Sequence, residues 1–230
     1  MDYILECNDL VKKYGNKIVL NNLNLKIPKG KIIGLLGPNG VGKTTLIKVI
    51  ASLLNYNSGQ LTIDGKSPGV DTKKIAAYLP DREFLYQWMS IAEAINFFKK
   101  SFEDFDDVKA YSMINTLNLD SKQKIKSLSK GMQEKLNISL TFSRKSKLFI
   151  LDEPLAAVDV VTRDKIIEII LKNFDKNSSI LISTHLINDI EYLFNEVVFI
   201  NDGKTILHGD VLNLKNKYKK SIQDLFKEII

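Results

Sequence analysis

Two stretches near the start of the chain, Ile4 to Leu10 and Ile18 to Ile27, alternate apolar and polar positions as antiparallel strands do. Tyr14-Gly15-Asn16-Lys17 forms the turn between them. Lys31-Ile32-Ile33-Gly34-Leu35-Leu36 is instead a short, nearly continuous apolar run, suited to a buried strand. Helical spacing follows in Thr45-Leu46-Ile47-Lys48-Val49-Ile50. Gly59 to Lys66 predicts a short strand closed by the Asp64-Gly65 turn, and Ile75 to Leu79 a further strand. From Ile91 to about Leu119 the period is helical. Ile91, Ala94, Ile95 and Phe98 share one face, and Ala110, Met113, Ile114 and Leu117 line a second helix. The apolar runs Leu148 to Leu151, Ile180 to Ser183 and Val197 to Ile200 then resume a parallel core. After a hairpin at Asn201-Asp202-Gly203-Lys204 comes a lysine-rich tail, where Ile222, Leu225, Phe226 and Ile229 predict a helical face docked on its own domain. No repeat or flexible linker interrupts the chain. The pattern predicts one α/β domain over 1–230: a mainly parallel sheet, an N-terminal antiparallel β subdomain, an inserted α-helical subdomain at about 84–145, and a tail at about 211–230.

Composition narrows the classes. A chain of 230 residues can bury a substantial core. It has no apolar run of the roughly eighteen residues that a membrane span needs. The amino terminus, Met1-Asp2-Tyr3-Ile4-Leu5-Glu6, lacks the basic region of a signal peptide. Cys7 is the only cysteine, which excludes an internal disulfide, fits a reducing cytosol and reads as packing in the first strand. The net charge of +6 comes from scattered lysines, with arginine only at Arg82, Arg144 and Arg163. Nucleic-acid recognition concentrates arginine on one face, so no nucleic-acid partner is expected. A mildly basic surface with some attraction to an anionic membrane fits better.

The chemistry begins at Gly37-Pro38-Asn39-Gly40-Val41-Gly42-Lys43-Thr44, a complete G-x-x-x-x-G-K-[ST] phosphate loop between a predicted strand and helix. Its glycines let backbone N–H groups turn inward on a polyphosphate, and the helix N-terminus adds its positive dipole end. Lys43 supplies a charge for the β- and γ-phosphates, and Thr44 a hydroxyl for Mg²⁺, with Thr45 counted among the nucleotide-binding residues. The core is therefore that of a P-loop NTPase. Leu148-Phe149-Ile150-Leu151-Asp152-Glu153 ends a strand in two carboxylates, and ligands of parallel sheets gather at strand carboxyl ends. Asp152 is the Mg²⁺ ligand, directly or through water, and Glu153 the base that orients and deprotonates the attacking water.

Further motifs, in order along the chain, resemble those of ATP-binding cassette proteins. Leu128-Ser129-Lys130-Gly131-Met132-Gln133 is similar to the signature motif, usually LSGGQ. His185, in Leu181-Ile182-Ser183-Thr184-His185, falls where the family keeps its switch histidine. Pro154-Leu155-Ala156-Ala157-Val158-Asp159 resembles the D-loop, with Asp159 its aspartate. Tyr14 matches the aromatic that stacks on adenine; a turn aromatic packed on Ile18 is the other reading. The resemblance implies ATP and Mg²⁺ as cofactors and an ATPase that dimerises head to tail with a second nucleotide-binding subunit. It places the chain on the cytoplasmic face of the membrane, beneath a transmembrane permease. In that dimer Ser129 and Gly131 meet the γ-phosphate held by the partner subunit, because within one chain the signature would lie far from the phosphate loop. His185 would donate to the γ-phosphate and share in catalysis with Glu153.

Three positions depart from the pattern: Asp81, Lys130 and Met132, the last standing where the signature usually ends in glutamine. After Tyr78-Leu79-Pro80 the family carries the Q-loop glutamine, but Asp81 stands here. It can reach the metal through water, and it would repel a γ-phosphate if Mg²⁺ were absent. Lys130 replaces a glycine, either adding a cation near phosphate or pointing to solvent. These variants resemble exporter-type cassettes with separately encoded permeases. Phe84-Leu85-Tyr86-Gln87-Trp88-Met89 reads equally as a groove for a helix of a membrane partner and as the helical subdomain's own core. The rival function is a soluble cassette ATPase acting on nucleic acid or ribosomes. Such relatives usually carry coiled coils, zinc-binding cysteines or tandem cassettes, none of which this chain shows.

Overall fold

The computed structural model describes residues 2–156 and 158–230. Met1, and Ala157 of the D-loop-like segment, lie outside the described residues. Strands β1 (Tyr3–Tyr14), β2 (Lys17–Pro28) and β4 (Ser58–Ile63) form an antiparallel sheet in the order β2-β1-β4. Strands β3 (Ile32–Leu36), β5 (Ala76–Leu79), β6 (Leu148–Asp152), β7 (Ser179–Ser183), β8 (Glu196–Asn201) and β9 (Lys204–Asp210) form a second sheet. Its order is β5-β6-β7-β3-β8-β9, parallel except for the β8–β9 hairpin. The helices are α1 (Lys43–Ile50), α2 (Val70–Lys73), α3 (Ile91–Ser101), α4 (Asp107–Thr116), α5 (Lys130–Phe142), α6 (Val160–Asn173), α7 (Ile187–Ile190), α8 (Val211–Tyr218) and α9 (Ile222–Ile229).

The central strands β3, β6 and β7 are buried at every position, because a parallel sheet is covered on both faces. Strand alternation sorts their side chains. Ile32 and Leu36 face a cluster with Ile166, Ile170, Phe199, Ile222 and Leu225, while Ile33 and Leu35 face one with α1 and the antiparallel sheet. Gly34 lies between, where a Cβ would come 2.6 Å from the Phe194 ring. The tail docks as its pattern predicts: Ile222 and Leu225 are buried, and Phe226 packs edge-on against Phe199 at 5.3 Å. Cys7 is likewise buried, and desolvation pushes its thiol up to about 12, which suits packing and not chemistry.

The inserted helices build a third cluster. Ile91, Ala94, Ile95 and Phe98 of α3 and Ala110 and Ile114 of α4 pack with Leu128, Leu136 and Leu140. A capping box starts α3: Ser90 Oγ accepts from the Glu93 amide (3.2 Å) and Glu93 Oε2 accepts from the Ser90 amide (2.6 Å). The open question over residues 84–89 divides residue by residue. Met89 is buried and Phe84 and Leu85 pack on the helical cluster, whereas Tyr86 and Trp88 are 57% and 61% exposed and stack at 5.8 Å. Arg144, just past α5, is one joint between this insert and the sheet. It bonds both Asp104 oxygens (3.0 and 3.2 Å) and the carbonyls of Ala76, Lys73 and Lys74.

Candidate active site

The loop after β3 turns through Gly40 and Gly42, both at positive φ (84° and 110°), before α1 begins at Lys43. A Cβ on Gly37 would lie 2.5 Å from the Ile200 carbonyl oxygen, so the loop rests directly on β8. Gly37→Ala is therefore expected to displace the loop and weaken ATP binding at least about fivefold, an overpacking effect of about 1–3 kcal/mol. Equilibrium dialysis of ATP against the wild type checks this, and an unchanged affinity would refute the fixed seat of the loop. Lys43 is buried, and its Nζ donates to the carbonyls of Gly37 (2.6 Å) and Pro38 (3.0 Å). Burial holds its ammonium below the ordinary lysine range, while Glu153 and Asp152 pull it back up. Val41 packs on the core beneath the loop.

Strand register brings the carboxylates to this loop. In β7, Ser183 pairs with Leu35 of β3 on one side and Asp152 of β6 on the other, and Leu151 pairs with Leu79 of β5. The ends of four strands are thus level. A cavity of about 220 Å³ there is lined by Lys43, Thr44, Thr45, Asn39, Asp81 and Glu153, among others. A second cavity of about 310 Å³ shares Asn39, Asp81 and Glu153 with it and adds His185, Glu134 and Lys130.

Ser183 is the residue that motif reading missed. Its Oγ donates to Asp152 Oδ1 (2.6 Å) and accepts from the Glu153 amide (3.0 Å), so one hydroxyl fixes both carboxylate residues. The only signal for it in the sequence is its place two residues before His185 at a strand end. Glu153 itself adopts φ +50, a left-handed conformation uncommon for a non-glycine residue. Its amide also donates to the Ser183 carbonyl (3.1 Å), which helps hold that turn. Glu153 Oε2 lies 2.8 Å from His185 Nδ1, so the histidine engages the carboxylate rather than standing apart.

Asp152 is fully buried, and its Oδ2 has no hydrogen-bond partner. Burial raises its pKa above the usual carboxylate range. The Ser183 hydrogen bond opposes that, Asp81 and Glu153 raise it further, and Thr44 lowers it. An orphaned buried carboxylate oxygen beside a threonine hydroxyl fits a hard divalent cation. Among the described residues no group of three or more His, Cys, Asp or Glu side chains could hold a metal ion.

Other residues singled out in the sequence lie elsewhere. Ser129 caps α5, its Oγ accepting from the Met132 amide (3.3 Å). Asp159 caps α6, accepting from the amide (2.9 Å) and hydroxyl (2.8 Å) of Thr162, bonds that hold its carboxyl below the usual range. A Cβ on Gly131 would come 3.1 Å from that same Thr162 hydroxyl, so signature and D-loop residues form one patch. Neither Ser129 nor Gly131 lines the phosphate-loop cavity. Lys130 between them does border the neighbouring cavity, so the signature is not wholly remote from this chain's own site. Tyr14 is half exposed at the β1–β2 turn, with Lys12 Nζ 5.0 Å from its ring centroid.

Comparison with known proteins agrees with this geometry. A family profile described as "ABC transporter" matches residues 20–156. The chain is 31% identical over 222 residues to the ABC transporter ATP-binding protein YtrB of Bacillus subtilis (strain 168), covering 94% of this chain and 75% of that one. It is 30% identical over 230 residues to the lantibiotic transport ATP-binding protein SrtF of Streptococcus pyogenes, covering 99% and 97%. Among solved structures it is similar to an ATP-binding subunit of an ABC transporter, with TM-score 0.88, 24% identity and coverage of 98% and 99%. It is also similar to the cassette MJ0796 in a dimeric post-hydrolysis state bound to ADP and Pi, with TM-score 0.79, 21% identity and coverage of 90% and 98%. These two likenesses concern the fold.

Proposed function

Since this chain belongs to the ABC transporter family of ATP-binding cassettes, we propose that it hydrolyses ATP as the nucleotide-binding subunit of a transporter and drives a transmembrane permease. The observation that carries this reading is the convergence of Lys43, Thr44, Asp81 and Glu153 on one cavity, with Asp152 buried beside it. Lys43 turns from the Gly37 and Pro38 carbonyls to the β- and γ-phosphates, and the backbone of residues 37 to 42 encloses them. Thr44 and Asp152 would hold Mg²⁺, with Asp81 placed to reach it through water, and the bound ion would supply positive charge against the phosphates. Glu153 orients the attacking water and takes its proton, while His185 positions that carboxylate and donates to the γ-phosphate when it arrives.

A second nucleotide-binding subunit completes the site in this reading. Ser129, Gly131 and Asp159 form one surface patch, and Val160 and Val161 beside it are 67% and 66% exposed. That patch suits contact with a partner's nucleotide, and the similar cassette solved as a dimer supports the arrangement. Tyr86, Trp88 and the 45% exposed Phe97 form a second apolar surface, on the helical insert, suited to a helix of the permease. No helix among the described residues is long and apolar enough to cross a membrane. Attachment to the cytoplasmic face would therefore run through the permease, and a similar protein named for peptide export favours an exporter. Those transport relatives also favour this reading over an ATPase of nucleic acid or ribosomes.

A tagged pull-down from the source cell's membranes in mild detergent tests the proposal. A multi-spanning protein should co-purify near one-to-one, and Trp88→Ala with Tyr86→Ala should lower its recovery at least about fivefold, as expected for aromatic hot spots. Recovery only with ribosomes or nucleic acid would overturn it.

A further inference from the structure

Resting on the reading of this cavity as an ATP site, we propose that Ser183 is a positioning residue for the metal carboxylate Asp152. Its hydroxyl engages Oδ1 and thereby leaves Oδ2 as the oxygen available to a cation. The two residues end their strands, β7 and β6, and stand side by side in the parallel register, which puts their side chains on one face of the sheet. Both are fully buried. Ser183 Oγ donates to Asp152 Oδ1 at 2.6 Å, the length of a charge-assisted bond between a hydroxyl and a carboxylate. Oδ2, buried as well, has no hydrogen-bond partner. A bare buried oxygen is costly, so a carboxylate held at one oxygen and bare at the other is set for a ligand at the second.

The strand itself gives no reason for a hydroxyl at position 183. β7 is buried along its length, and a buried hydroxyl is unfavourable unless it bonds. Ser179, at the other end of the same strand, bonds backbone: its Oγ accepts from the Gly30 amide (3.0 Å) and donates to the Pro28 carbonyl (3.2 Å). Ser183 differs in directing its proton to a carboxylate. Its Oγ also accepts from the Glu153 amide (3.0 Å), but that amide donates as well to the Ser183 carbonyl (3.1 Å). Removing the hydroxyl therefore keeps one of the two bonds on the Glu153 turn, while Asp152 Oδ1 loses its hydrogen bond to β7. The effect falls first on the metal carboxylate and only second on the base.

ATP affinity, read with and without metal, tests this role. Wild type, Ser183→Ala, Asp152→Asn and the double variant are compared by equilibrium dialysis of labelled ATP in saturating Mg²⁺ and in EDTA, with thermal melts to check folding. Ser183→Ala should weaken binding in Mg²⁺ at least about tenfold, as loss of the partner behind a metal ligand does, and in EDTA by less than about twofold. In the Asp152→Asn background the same change should cost less than about twofold in either buffer, because the hydroxyl then has no metal ligand to hold. Ser183→Cys keeps the bulk but offers a weak donor; it should behave as the alanine variant does, and replaces it if the latter is unfolded. Equal weakening in Mg²⁺ and EDTA would make Ser183 a packing residue and overturn the proposal. So would an unchanged affinity in Mg²⁺, or the full cost in the Asp152→Asn background. Wild-type binding no tighter in Mg²⁺ than in EDTA would overturn it too, with the ATP site intact. Failure of the underlying reading looks different: the wild type would then bind no ATP in either buffer.

Discussion

Glu153→Gln is expected to slow ATP hydrolysis by roughly 10²–10⁴-fold while leaving ATP affinity within about twofold. The amide keeps the shape of the side chain and can still meet His185 Nδ1, which lies 2.8 Å from Glu153 Oε2. It cannot take a proton from water. The backbone at φ +50 depends on the amide bonds to Ser183, which the substitution does not touch, so no structural collapse should confound the result. Single-turnover phosphate release and dialysis, run side by side, separate the two effects. Hydrolysis within fivefold of wild type would move the base elsewhere. Loss of binding would make Glu153 an architectural residue instead.

Arg144→Met should have the largest effect on stability. Arg144 is 6% exposed; its Nε donates to both Asp104 oxygens, its two terminal nitrogens reach three backbone carbonyls, and the guanidinium lies 4.1 Å over the Phe102 ring. Removing it leaves a partly buried carboxylate (21% exposed) and those carbonyls without their donor, at a cost of about 3 kcal/mol. For a chain of 230 residues that corresponds to a melting temperature lower by on the order of 10 °C. Arg144→Lys should recover only part of the loss, because a lysine cannot reproduce the planar fork. Calorimetry decides it, and a drop below 3 °C for the methionine variant would mean that the joint relaxes around the loss. Because the joint ties the helical insert to β5, the same variant should loosen the insert before the sheet in hydrogen exchange.

Much of the site was legible in the sequence because its chemistry is local. A phosphate loop is one short segment whose glycines and lysine act at fixed spacing, and the apolar run before Asp152 announces a buried strand end. Tyr14, Ser129 and Asp159 were legible as residue types, and the structure gives Ser129 and Asp159 helix-capping bonds. Ser183 was not legible. It is an unremarked serine in a strand, and its importance comes from pairing with Leu35 on one side and Asp152 on the other. The division of residues 84–89 was equally hidden, since composition cannot say which aromatic faces inward.

The sequence by itself determined most of the strands, the helices of the insert, the phosphate loop and the paired carboxylates, which are properties of neighbouring residues read by spacing, and its motifs carried the resemblance to the family; α6 was not read from it. Tertiary structure alone decided which distant side chains meet. It placed His185 on Glu153, Arg144 in the joint between insert and sheet, and Ser183 on Asp152. The reason is physical: a strand's own pattern fixes which face it buries, but register and helix placement arise from non-local pairing and packing across the whole core.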